Sequence, residues 1–299
     1  MNSKSEIEVL NVKNVKKSYG SFAALDNISF SLKKGEIVGL LGHNGAGKST
    51  LIKCIMGAIK SYDGNILYCG DNIINERKQF VKEVGILLEP SFVDYLSARE
   101  NLYLISRAIG KEVKLETIDE LLEMVSLKKA AKKKVSEFSF GMKQRLGLAQ
   151  AMINNPKMII LDEPTVGLDP TGTEVIKRAL LEMAGKGAAI MFSSHELPAI
   201  EDICSRIIVI EEGKLIYDDS IDKVKAKEIV IVTEENLKDI KSLLAYGDDV
   251  YISGTSIVVK KIEMIDSVIT IVKDSGLKIL DITSKENSLF KFFDGGVRK

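Results

Sequence analysis

Nine consecutive residues, Gly42-His43-Asn44-Gly45-Ala46-Gly47-Lys48-Ser49-Thr50, carry the first recognisable chemistry of this 299-residue chain. They fit G-x-x-x-x-G-K-[ST], the pattern of a loop that wraps its backbone around phosphate. Its glycines let main-chain amides approach an anion. Lys48 is placed to reach outer phosphates, and the Ser49 hydroxyl is a hard oxygen donor suited to magnesium. The pattern needs a strand before it and a helix after it. Residues 36–41 (EIVGLL) read as a buried strand, and residues 49–59 (STLIKCIMGAI) as the helix whose N-terminal amides favour negative charge.

Two further stretches follow in order. In MIILDEP, residues 158–164, four apolar residues deliver Asp162 and Glu163 to a strand's C-terminal end, where open α/β sheets bind their ligands. Asp162 is placed to reach a magnesium ion, and Glu163 to polarise an attacking water. Between loop and strand lies SFGMKQR, residues 139–145. Ser139 reads as the N-cap of a helix over 140–152, with Met142, Leu146, Ala149 and Met152 recurring at helical spacing. A capped helix start with Gly141 close by is suited to an anion.

Over about residues 7–217 these motifs, with their order and spacing, resemble the ATP-binding-cassette (ABC) ATPase subunits. The resemblance implies ATP and Mg2+ as cofactors, with Ser49, Asp162 and Glu89 near the metal and Lys48, Glu163 and His195 in catalysis. It matches Tyr19, in KKSYG, to the aromatic on which adenine stacks. Ser139 and Gly141 fall at the family signature, here FSFGM, which serves the nucleotide of a second copy. Asp169, in GLDP, matches the loop crossing the dimer seam, and His195, in FSSHE, matches the switch histidine that contacts the γ-phosphate. Two copies are then expected to clasp two nucleotides head to tail. They would drive an integral membrane permease on a separate chain, from the cytoplasmic face of the cell membrane.

Two positions depart from the usual family pattern. Where the family usually has a glutamine, the strand VGILLE ends in Glu89, and a carboxylate there adds a possible direct metal ligand. Glu89, the following L-x-A-x-E-N-L run and the ending GMKQR are similar to exporters of the bacitracin-resistance and lantibiotic-immunity type. An exporter of antimicrobial peptides or drugs is therefore expected, with an importer subunit or a non-transport regulatory ABC protein as the alternatives. Phe140 and Met142 replace the signature's glycine and glutamine, so the contact across the seam is expected to rest on Ser139, Gly141 and the backbone.

The elements that must position these groups alternate strand and helix after Glu36, giving an expected α/β phosphate-loop core. An antiparallel β subdomain precedes it, and a helical subdomain spans about 90–155. Residues 1–222 are expected to form this nucleotide-binding domain. Residues 223–299 read as a small accessory α+β region of β-α-β-β-α-β order, ferredoxin-like, with a helix over 236–244. The ending NSLFKFFDGG resembles a segment common in drug-exporter ATPases.

Composition narrows the partners. The 42 basic and 42 acidic side chains cancel, so no nucleic-acid partner is expected; Lys128, Lys129 and Lys132 to Lys134 form one local cluster at a helix end. Cys54, Cys69 and Cys204 stand far apart without a C-x-x-C, which favours neither zinc nor a disulfide framework. The charged start MNSKSEIEVLNV lacks a signal-peptide pattern, and no apolar run approaches the ~18 residues of a spanning helix.

Overall fold

The computed structural model describes residues 7–195, 201–225, 228–234, 243, 246–247, 249–261 and 264–285. The chain divides into two compact units, Met1–Asp219 and Ser220–Lys299.

The first unit opens with a long hairpin, β1 (Glu8–Tyr19) and β2 (Phe22–Lys33), whose turn sets Tyr19 opposite Phe22. β3 (Ile37–Leu41) is buried at all five positions, as a central parallel strand covered on both faces must be. The phosphate-loop segment then leads into α1 (Lys48–Ile55). β4 (Asp63–Tyr68) and β5 (Asp71–Asn72) join the hairpin in an antiparallel sheet of order β2-β1-β4-β5. After α2 (Arg77–Glu83) and β6 (Val84–Leu87) come the three helices α3 (Ala98–Ala108), α4 (Leu115–Met124) and α5 (Phe140–Met152). The chain returns through β7 (Met158–Leu161), α6 (Pro170–Gly185), β8 (Ala189–Ser194), β9 (Arg206–Glu211) and β10 (Lys214–Ser220).

The second sheet runs β10-β9-β3-β8-β7-β6, with β9, β3, β8, β7 and β6 parallel. This topology builds the site. Because β3, β6, β7 and β8 run the same way, the segments that follow them emerge along one sheet edge. The phosphate loop follows β3, Glu89 lies two residues past β6, Asp162 and Glu163 follow β7, and His195 follows β8.

One apolar core locks α1 in place. Leu51, Ile52 and Ile55 are buried among Leu10, Val12, Leu25 and Ile28 of the antiparallel sheet and Leu40, Ile160 and Met191 of the parallel one. A loop whose helix is wedged between two sheets has little freedom to drift. Helix α5 is buried more widely than a single apolar stripe requires: Gln144, Gly147, Leu148 and Ala151 are buried alongside Leu146, Ala149 and Met152. It packs among β6, α3, α4 and α6, and the approach to β6 is close. A Cβ added at Gly85 would fall 1.9 Å from the Ala151 carbonyl oxygen, so that position takes only glycine. Between Ser97 and Asn155 the described backbone makes one isolated bridge, Ser97 to Lys134, and otherwise turns and helices.

In the second unit α7 (Ile221–Lys225) precedes β11 (Glu228–Thr233), β12 (Val250–Ser253), β13 (Ser256–Val259), α8 (Ile265–Asp274) and β14 (Ile279–Lys285). The antiparallel sheet has the order β12-β13-β11-β14, with β11 inserted between the two strands that α8 connects. That insertion is the mark of a split β-α-β unit. Val268 and Val272 of α8 bury against Ile231, Ile257 and Val259. The helix expected over 236–244, apart from Leu243, and the ending at 287–296 lie outside the described residues. Among the described residues, no helix is long and apolar enough to cross a membrane.

At the opposite end of the parallel strands from the site, one arginine ties four segments together. Arg206 grips Asp218 with two bonds (Nε to Oδ1 2.5 Å, Nη2 to Oδ2 2.8 Å). Its Nη1 reaches Glu36 Oε1 at 3.1 Å and the Ser31 carbonyl at 3.0 Å. The hydrogen bond to Asp218 is the largest influence on the guanidinium, and it raises its pKa against the opposing effect of burial. Removing one partner of such a partly buried pair leaves charge poorly compensated, so Arg206→Ala is predicted to destabilise the first unit by about 2 kcal/mol. Arg206→Lys loses the two-pronged geometry and is predicted to fall between the two. Urea midpoints by circular dichroism test this ordering, and an Ala variant as stable as the parent refutes it.

Candidate functional site

The cleft at the sheet edge encloses about 360 Å³ and is lined by Phe22, Ala24, His43 to Gly45, Gly47 to Thr50, Asp162 and Glu163. Its floor is dictated by backbone. Gly42 adopts φ 156°, and a Cβ there would lie 2.3 Å from the Ile210 carbonyl oxygen of β9. Any larger residue pushes the loop off the sheet. The first-turn amides of α1 have no acceptor within their own helix, and they open toward the cleft with the positive end of the helix dipole.

Lys48 is the buried cation of the cleft, 6% exposed. Its Nζ donates to the Gly42 carbonyl and, at 3.4 Å, to that of His43; Glu163 Oε1 lies 3.7 Å away. Burial lowers its pKa, and the charges of Glu163 and Asp162 work against that shift. A polyphosphate entering the cleft brings further negative charge to a cation that the protein has already stripped of water.

The two acids differ in their surroundings. Asp162 is fixed through its backbone, whose N–H donates to the Leu87 carbonyl of β6 at 2.8 Å. Its carboxylate accepts from the Ser49 hydroxyl at 3.1 Å on Oδ2 and from the Ser193 hydroxyl at 2.5 Å on Oδ1. Phosphate loop and strand end are thus joined through one carboxylate. Glu163 has left-handed backbone, φ 49°, a conformation costing a non-glycine residue about 1–2 kcal/mol. The site holds it there: its N–H donates to Ser193 Oγ at 2.9 Å, and its carbonyl accepts from Gln144 Nε2 of α5 at 3.4 Å. Its side chain turns back over the loop, with Oε2 3.0 Å from His195 Nδ1.

The cleft gathers His43, Asn44, Gly45, Gly47, Lys48, Ser49, Thr50, Asp162 and Glu163, with His195 bonded to the last of these. Gly42 and Ala46 shape the loop from beneath. Other candidates stand apart from it. Tyr19 is half exposed with Lys17 Nζ 4.9 Å above its ring, and the aromatic lining the cleft is Phe22, its partner across the hairpin turn. Glu89 is exposed and is not among the lining residues. Ser139 caps α5 by accepting the Met142 N–H at 3.3 Å, and Asp169 caps α6 by accepting the Gly172 N–H at 2.9 Å. Neither they nor Gly141 line this chain's cleft. They do share a surface, because Phe140, 58% exposed, lies against Gly167, and Gly141 approaches Leu168. Phe22, Gln144 and Ser193 join the site only through the fold. Gln144 alone had a signal, as a polar residue on a helix turn that otherwise faces apolar neighbours.

A phosphate-cradling loop, a buried lysine and paired carboxylates at the carboxyl edge of a parallel sheet are the parts of a phosphate-loop nucleoside triphosphatase. Residues 25–166 match the family model described as ABC transporter. The chain is 35% identical over 294 residues to the bacitracin transport ATP-binding protein BcrA of Bacillus licheniformis, covering 95% of this chain and 96% of that protein. It is 39% identical over 214 residues to the lantibiotic transport ATP-binding protein SrtF of Streptococcus pyogenes, covering 72% and 92%. Among solved structures, a dimeric bacterial ABC transporter cassette matches with a TM-score of 0.66 at 25% identity, over 71% of this chain and 98% of that one. This chain belongs to the ATP-binding subunits of ABC transporters, the family of ATPases that power them.

Lys48→Ala removes the cation from the cleft. It is predicted to weaken binding of a fluorescent ATP analogue by at least about tenfold, the loss expected for one charge-assisted hydrogen bond, while the thermal melt stays within a few degrees. Unchanged affinity would mean that the loop amides alone hold the phosphates.

Proposed function

We propose that two copies of this chain bind two ATP molecules between them, hydrolyse them with Mg2+, and thereby drive a separate membrane permease that exports antimicrobial peptides. The observation that carries the catalytic part is the Ser49–Asp162 bond, which joins the phosphate loop to the paired acids. Both groups are hard oxygen donors of the kind magnesium selects, and they would hold it at the loop. When bound, the ion offsets charge on the phosphates during transfer.

The chain's own residues do the rest. Lys48 faces the outer phosphates, and α1 adds its dipole. Glu163 lies within reach of Lys48 and His195, so a triphosphate that attracts Lys48 leaves the Glu163 carboxylate to orient water. His195 holds the other Glu163 oxygen, and from there it would steady the terminal phosphate. Phosphoryl transfer needs position and charge more than covalent help, which is what this set supplies.

Dimerisation is supported by the outward surface of Ser139, Phe140, Val166 and Asp169, which carries a capped helix start and exposed apolar side chains. The solved dimeric cassette supports it too. Peptide export is supported by similarity to the bacitracin transport protein along almost the whole chain, including the second unit. The subunit would then work at the cytoplasmic face of the membrane, held there by the permease. The second unit is assigned a stabilising role, since nothing in its described part gathers catalytic groups.

Glu163→Gln is predicted to cut ATP hydrolysis at least about 100-fold while keeping binding, and to elute as a dimer with ATP on size exclusion. Full turnover by this variant would move the base elsewhere. Cells lacking this chain should become sensitive to bacitracin-like or lantibiotic-like peptides, and unchanged sensitivity to both would reject that cargo class. Glu89→Gln should keep ATP affinity and alter hydrolysis or resistance; with neither altered, the carboxylate has no special part.

A further inference from the structure

One buried hydroxyl sits between the two acids of the cleft. Ser193 is completely buried near the end of β8. Its oxygen makes two bonds of opposite sense: the hydroxyl donates to Asp162 Oδ1 at 2.5 Å and accepts the Glu163 N–H at 2.9 Å. A hydroxyl has one proton, and the carboxylate takes it. The remaining lone pairs are what the amide finds. The arrangement therefore has one sense, and it ties the orientation of the Asp162 carboxyl group to the left-handed conformation of Glu163.

We propose that Ser193 is a positioning residue for ATP hydrolysis: it locks the left-handed backbone of Glu163 to the orientation of the Asp162 carboxylate. The proposal rests on the reading of Asp162 and Glu163 given above. The lock has a physical reason. Glu163 occupies backbone that its side chain disfavours, and such a residue stays there only when its surroundings overdetermine it. Ser193 holds its N–H and Gln144 of α5 its carbonyl, so the peptide groups on both sides of Glu163 are pinned by side chains from different elements. Without the hydroxyl, the amide is buried without an acceptor and Asp162 loses the restraint on Oδ1. Glu163 is then free to relax toward ordinary backbone, carrying its carboxylate away from His195 and Lys48.

Three observations on the intact protein test this. In Ser193→Ala, kcat for ATP should fall about 30- to 100-fold with KM changed less than about threefold, because misplacement by roughly 1 Å costs rate rather than binding. Half-saturating Mg2+ should rise. Exchange of the Glu163 amide, read by mass spectrometry on peptides covering 160–166, should quicken while the melt stays close to the parent. Ser193→Thr, which keeps a hydroxyl, should recover most of the rate and the exchange protection. Should the added methyl disturb packing, Ser193→Cys serves as a variant of similar size but weaker hydrogen bonding, and should rank between Ala and parent. An Ala variant with parental kcat and parental exchange overturns the proposal, as does equal loss in Ala, Cys and Thr, which would mark a packing role. Glu163→Gln measured alongside separates the two readings: if it abolishes turnover while Ser193→Ala does not, only the lock fails.

Discussion

A lysine stripped of water must be matched by negative charge, and the cleft is arranged around that requirement. Lys48 lies beneath the phosphate loop with two carbonyls and one carboxylate as its neighbours. The match is incomplete, since burial still lowers its pKa despite Glu163 and Asp162. Incompleteness suits binding. A cation fully satisfied by its own protein gains little from a ligand, whereas one held short of satisfaction gains much, and in a low-dielectric cleft that gain is large. The architecture then has to keep the carboxylates near without letting them close on the lysine. Ser49, Ser193, Gln144 and His195 do this by holding Asp162 and Glu163 from other directions.

Parallel strand direction makes the constellation possible. Four segments far apart in sequence, after β3, β6, β7 and β8, emerge at one edge because the strands point the same way. Helix α1, gripped by core side chains of both sheets, removes the freedom that would let the loop move relative to β7. Asp162 could not be set to within a hydrogen bond of Ser49 if loop and strand belonged to bodies that slide. Rigid support and an exposed edge are compatible here because the burial lies along the strands and the chemistry at their ends.

The sequence reveals these parts unevenly, for physical reasons. The phosphate loop is legible because its conformation excludes most side chains: Gly42 faces the Ile210 carbonyl, so the residue type records the geometry. Asp162 and Glu163 are legible as polar residues closing an apolar strand, and Ser139 as a cap before a helical stripe. Ser193 left no such trace. A serine in MFSSH looks like strand polarity, and its meaning arises only when β8 lies beside β7. The Arg206 anchor was hidden for a similar reason, since Ser31, Glu36 and Asp218 meet it from three separate segments. Tyr19 and Phe22 sit at the two sides of one hairpin turn, and register, not residue type, decides which ring lines the cleft. In the second unit the described strands and α8 follow the order read from alternation, while the helix expected over 236–244 lies outside the described residues apart from Leu243.

What one chain leaves unfinished is itself informative. Ser139 and Asp169 each spend their side chains on a helix cap, which fixes the starts of α5 and α6 and leaves both helix ends directed outward. The same helix α5 reaches inward through Gln144 to the carbonyl of Glu163. A molecule seated on the outer end of α5 would therefore bear on the same helix that holds the Glu163 carbonyl through Gln144, about one turn from the capped start. The capped start of α5 and the bond to the Glu163 carbonyl thus belong to a single helix, with no intervening element between them. If the molecule so seated is another copy's nucleotide, each cleft's readiness to cleave depends on whether its neighbour has been filled, and the two sites are linked before the permease is considered at all.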